Sequence, residues 1–146
     1  MTAFVLAAAL LTATGCGSSG NTRATNPHLT LSAEAQYQVR ALVSAYERAL
    51  SEGNAGAACA DMTETLQQQI VLETQRTAPT VANCAQAMTL ALKVGQSKID
   101  EALGKTVVRS IVISGDRATI VSDRAGKQVA SRALHEASGW RLEESP

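Results

Sequence analysis

Residues 105–143, KTVVRSIVISGDRATIVSDRAGKQVASRALHEASGWRLE, decide the fold of this chain. Val107, Arg109, Ile111 and Ile113 alternate with Val108, Ser110 and Val112. A period of two places successive side chains on opposite faces of a strand. Gly115-Asp116 reads as a two-residue hairpin turn, and residues 118–122 return with Ile120 and Val121. Residues 123–127 form a second turn and 128–135 a third strand, and Ser138-Gly139 turns into a short last strand over 140–143. The expectation is an antiparallel meander of about four strands.

Upstream of this stretch the period is helical. Ser32 is a good N-cap with Glu34 in the first turn. Val39, Leu42, Val43, Tyr46 and Leu50 follow at helical spacing, and Gly53 suits the C-terminal cap. A second helix is predicted over 55–62, and a third, capped by Thr63, from 64 to about 75 with Leu66, Ile70 and Val71 inward. Ala78-Pro79 interrupts the pattern. Asn83 opens a fourth helix through Cys84, Ala87, Met88 and Leu92 that ends before Gly95. Helices first and a meander afterwards define an α+β domain, N-terminal helices packed on an antiparallel sheet, not alternating βαβ units.

The N-terminus has its own signature. Residues 3–13, AFVLAAALLTA, carry no charge, and Thr14-Gly15-Cys16 closes them with small residues. This is the layout of a secretory signal whose apolar region ends at a small-residue cleavage site. The run is shorter than the roughly 20 residues that span a bilayer. Met1-Thr2-Ala3-Phe4 lacks the usual positive charge, and Ala13 stands where leucine is more common. The segment resembles the lipobox of bacterial lipoproteins, which implies cleavage before Cys16 and acylation of its thiol. The domain organisation expected is a signal peptide over 1–15, a lipidated Cys16 with a Gly/Ser/Asn/Thr-rich tether over 16–31, and one α+β domain over 32–146. Export, with anchoring on the outer face of the cell membrane, is the corresponding localisation.

Composition narrows the classes of partner. Lys+Arg and Asp+Glu are both 13, so no net charge favours nucleic acid or an acidic membrane surface. Aromatic residues make up only 3%, too few for base-stacking platforms. With Cys16 lipidated, Cys59 and Cys84 are an even pair in an oxidising compartment, where a disulfide between them would contribute roughly 3 to 4 kcal/mol by the chain-entropy estimate. Two buried free thiols are the alternative. No CxxC, His pair, HExxH, GxSxG, Gly-rich phosphate loop or acidic calcium loop is present, and no metal or cofactor is expected.

Three local patterns together carry a family resemblance. One is the helix end Tyr46-Glu47-Arg48-Ala49-Leu50-Ser51-Glu52-Gly53-Asn54 followed by Ala57-Ala58-Cys59, and the second is Cys84 opening a later helix. The third is Gly115-Asp116-Arg117-Ala118-Thr119-Ile120, then Ser138-Gly139-Trp140-Arg141-Leu142. Over about residues 32–144 the chain resembles small actinobacterial lipoproteins of the nuclear-transport-factor-2-like superfamily. That resemblance implies a curved, cone-like sheet wrapped around a long first helix, with a pocket inside.

The superfamily includes isomerases, dehydratases, cyclases, carriers and interaction modules, so the fold leaves function open. Counterparts of its pocket acid/base groups would be Tyr37, Tyr46, Asp61, Asp100 and His135, and spacing selects no pair among them. Tyr46 lies on the apolar stripe, His135 reads as a solvated strand end, Trp140 as a packing anchor, and Asp61 as a local cap or surface residue. Tyr46, His135 and Trp140 are the candidate pocket residues, and no catalytic residue is assigned. Apolar residues on both faces of the first strand suggest that a second subunit covers one face, a homodimer. The leading expectation is a non-catalytic, membrane-tethered envelope domain that binds a partner protein or a small apolar ligand. The alternative is a lyase or isomerase using Asp61 or Asp100 with Tyr46 or His135.

Overall fold

A computed structural model describes residues 27–144 apart from residue 105. The segment expected to be a signal peptide, Cys16 and the first part of the expected tether lie outside the described residues. The element order is α1 (Pro27–Ser51), α2 (Ala55–Ala60), α3 (Glu64–Gln75), α4 (Cys84–Leu103), β1 (Val107–Ser114), β2 (Arg117–Arg124), β3 (Lys127–Glu136) and β4 (Gly139–Glu144). The strands form one antiparallel sheet in the order β1-β2-β3-β4, and the helices pack on it in the α+β arrangement that the sequence predicts.

Two helix boundaries differ from the sequence reading. Helix α1 begins at Pro27, five residues before Ser32 and inside the segment read as tether. Proline is well suited to a first helical turn, because its missing N–H would be unpaired there in any case. Helix α4 does not stop at Gly95 but runs on to Leu103. Ile99 and Leu103 extend its apolar stripe onto the core, and the Gln96 amide donates to the Leu50 carbonyl of α1 at 3.3 Å. That packing outweighs the roughly 1 kcal/mol that a glycine costs inside a helix.

Elsewhere the local signals act as read. Gly53 ends α1 with φ 68°, while Asn54 N donates to Ala49 O (2.8 Å) and Gly53 N to Leu50 O (3.1 Å). This pair of bonds is the Schellman cap, which needs a left-handed residue. Asn54, Thr63 and Asn83 each accept a backbone N–H three residues ahead, from Ala57, Leu66 and Gln86, and so cap α2, α3 and α4.

The core lies between one face of the helices and one face of the sheet. Val39, Leu42, Val43, Tyr46 and Leu50 of α1 join Cys59 of α2, Met88 and Leu92 of α4, and Ile111, Ile120, Ala133, Trp140 and Leu142 of the sheet in one cluster. Ile120, Leu142 and Val39 are completely buried. The disulfide between Cys59 and Cys84 staples α2 to the start of α4.

The opposite sheet face carries charge. Arg109–Asp123, Arg117–Glu143 and Arg132–Glu144 pair across it, the last two at 3.1 and 2.8 Å. Pairs this exposed contribute less than about 1 kcal/mol each, and they give three of the five strand arginines a carboxylate partner within the sheet.

The second helix ends at Ala60, short of the predicted 62. Residues 61–63 leave the helix to extend alongside β4. Leu142 N donates to Asp61 O (2.8 Å) and Thr63 N to Leu142 O (2.9 Å), making a parallel bridge between Met62 and Leu142. The helical layer is thereby hydrogen-bonded to the β4 edge.

Candidate functional site

The turn between β3 and β4 brings two of the three candidate pocket residues together. His135 and Trp140 are cross-strand partners, and their rings meet edge to face with centroids 5.0 Å apart. Cross-strand neighbours face the same side of a sheet, so a two-residue connection suffices to build this pair. Trp140 is buried as a packing anchor, whereas His135 is exposed and its backbone N–H donates to Asp116 O at 2.7 Å.

Two open grooves flank the pair and share Gln38, His135 and Trp140. One, of about 420 Å³, runs past Ser32, Glu34, Ala35, Ile113 and Gly115. The other, of about 630 Å³, runs along Ala41, Leu42 and Ala45 to Asp61 and Arg141. Both therefore follow α1 against the strand turns. Gln38 is held by its amide donating to Glu34 Oε1 at 3.0 Å.

Tyr46 does not join them. It is 4% exposed in the core and lines neither groove. Tyr37 is 70% exposed on the surface of α1, and the exposed Asp100 accepts from the Gln96 amide at 2.9 Å. Of the acid/base candidates, only Asp61 and His135 line one groove.

Asp61 is the C-cap of α2, its N–H directed at Ala57 O and Cys59 O. Its carboxyl is held above the usual carboxylate range by burial, against the lowering influence of the Arg141 and Arg48 guanidiniums. The local capping role was legible in the sequence. The approach of Arg141 was not, because it depends on the bridge to β4. A second carboxyl escaped the sequence reading altogether: Glu47 is raised by burial, opposed by Arg124 of β2, and its Oε1 is buried without a hydrogen-bond partner.

The space between α1 and the sheet is filled by Val39, Tyr46, Ile120, Trp140 and Leu142. Among the described residues no three His, Cys, Asp or Glu side chains gather as a metal site, and no helix is long and apolar enough to cross a membrane.

No known family, curated protein or solved structure matches the chain.

Proposed function

We propose that this protein is an exported domain, lipid-anchored at Cys16, that acts without catalysis by engaging a partner protein in the cell envelope. The Cys59–Cys84 disulfide carries this reading. A bridge of this kind persists in oxidising compartments, and the apolar run ending at Thr14-Gly15-Cys16 supplies the matching export signal. The nuclear-transport-factor-2-like resemblance belongs to the same proposal.

A protein partner fits better than a small apolar ligand. Side chains fill the space between helix and sheet, while the grooves at His135 and Trp140 are open and elongated, a shape suited to an extended segment. Replacing Cys16 by Ala in the full chain tests the anchor. The expected result is unprocessed or released protein, and unchanged membrane retention would remove lipidation. Native mass spectrometry after exposure to an envelope lipid and metabolite extract tests the ligand. The expected result is the mass of the protein alone, and a discrete small-molecule adduct would replace the partner reading with a carrier.

One observation favours a second reading, a lyase or isomerase. Asp61, half-buried and raised, shares its groove with His135, and raised carboxyls in clefts are candidate bases. Asp61→Asn separates the two: a catalytic base is abolished by it, whereas partner binding is retained in part.

A further inference from the structure

We propose that the chain forms a two-fold dimer by pairing the outer edge of β1 with β1 of a second copy. The sheet has two edges, and they are treated differently. The β4 edge is taken by the Met62 bridge, whereas among the described residues no strand pairs with the outer edge of β1. An edge strand presents a row of backbone donors and acceptors, and proteins commonly blunt it with lysine, proline or charge. Residues 110–114 carry none of these. The nearest charge, Arg109, is bound to Asp123 within the same sheet. Val107 and Val112 stand 52% and 61% exposed along this strand, and the bulge between Val108 and Ser110 leaves 110–114 in unbroken register.

The identity of the occupant is written in the strand. Ser110-Ile111-Val112-Ile113-Ser114 reads the same in both directions. Antiparallel pairing about a two-fold axis at Val112 sets Val112 against the second copy's Val112, each Ile111 against an Ile113, and each Ser110 against a Ser114. A two-fold interface requires this self-complementarity, since every contact is made twice. Ile111 and Ile113 face the core side, where their register partners are Ile120 and Ala118, so the pairing prolongs the apolar layer. Val112 and the serines meet on the other face as uncharged cross-strand pairs. In the same register Arg109 comes opposite Gly115, beside the exposed acidic Asp116 of the second copy. The product is one continuous sheet running through both copies, independent of how the chain is anchored.

Cysteine cross-linking on the full chain tests this register. Directly opposed residues in antiparallel strands have Cα atoms about 4.5–5.5 Å apart, within disulfide reach. Under mild oxidation Val112→Cys is expected to give a covalent dimer, and Val107→Cys, off the axis, far less, with the unsubstituted chain setting the background from Cys16. Equal cross-linking at both positions, or none at Val112→Cys, overturns the proposal. Val112→Lys puts two ammonium groups on the axis at an exposed site, so it spares the fold. Sedimentation in detergent is expected to show the original dimer and a monomeric Val112→Lys with an unchanged far-ultraviolet spectrum. A monomeric original chain, or a variant that stays dimeric, overturns it equally.

Discussion

Met62 and Leu142 pair as a parallel bridge in which the Leu142 backbone donates to Asp61 and accepts from Thr63. One residue of β4 thus fastens the sheet to the segment between α2 and α3, and the Leu142 side chain is completely buried at the same point. Leu142→Ala is expected to cost about 2–5 kcal/mol, the usual range for such truncations in a packed core. Urea denaturation followed by circular dichroism measures it. A loss below about 1 kcal/mol would place Leu142 outside the core, contrary to this packing.

The disulfide gives a second expectation. Replacing Cys59 and Cys84 together by alanine should lower stability by roughly 3 kcal/mol if loop closure in the unfolded chain dominates. Thiol labelling of the denatured, unreduced protein should find both sulfurs blocked. Ready alkylation of both would show that the bridge does not form in the isolated protein.

The turn between β2 and β3 contains a strained position. Ala125 has φ 49° and Gly126 φ 79°, the left-handed pair that a type I′ hairpin turn requires. Alanine pays sterically there, while asparagine and glycine tolerate the region. Ala125→Asn is expected to raise stability by up to about 1 kcal/mol, and Gly126→Ala to lower it by a similar amount. Thermal melts of the two variants should move in opposite directions.

Glu47 and Asp61 set a pH dependence. Burial is the leading cause that raises both above their ordinary values of 4.5 and 3.8. A carboxyl raised in the folded state binds its proton more tightly there than in the unfolded chain. Its stabilising contribution is therefore complete below the unfolded value and is lost as pH rises through the folded one. Glu47→Gln should accordingly stabilise the protein at neutral pH, with the gain shrinking as pH falls from the raised folded-state value towards the ordinary 4.5 and absent below it. Denaturation midpoints of both proteins across this range provide the check. A destabilised variant at neutral pH would mean that attraction to Arg124 outweighs desolvation.

The parts of this fold legible in the sequence are those fixed by near neighbours. The period of two from Ser110 to Ile113, the Gly115-Asp116 turn, the Thr63 and Asn83 caps, and the pairing of Cys59 with Cys84 follow from local pattern or simple parity. By contrast, the bulge between Val108 and Ser110 puts Val108, not Val107 and Arg109, on the core face with Ile111. What was missed depends on contacts between distant segments. Gly95 signals a helix end locally, and only Ile99 and Leu103 meeting the core override it. Met62 looks helical until β4 offers it a partner. The groove was half legible: His135 and Trp140 are close in the chain, but the approach of Asp61 and Gln38 is set by how α1 and α2 dock.

The strand order also has a bearing on how the molecule assembles. Each strand pairs with its neighbour in the chain, so the sheet is three successive hairpins closed by short turns. Hairpins of this kind zip within microseconds and need only short loops closed. Fastening Met62 to Leu142 and seating α1 on β4 bring together the two ends of the domain, and loop entropy makes such contacts slow. The meander is expected to form early and the helical half to dock on it late, leaving the β4 edge, like that of β1, open to a second copy during that interval.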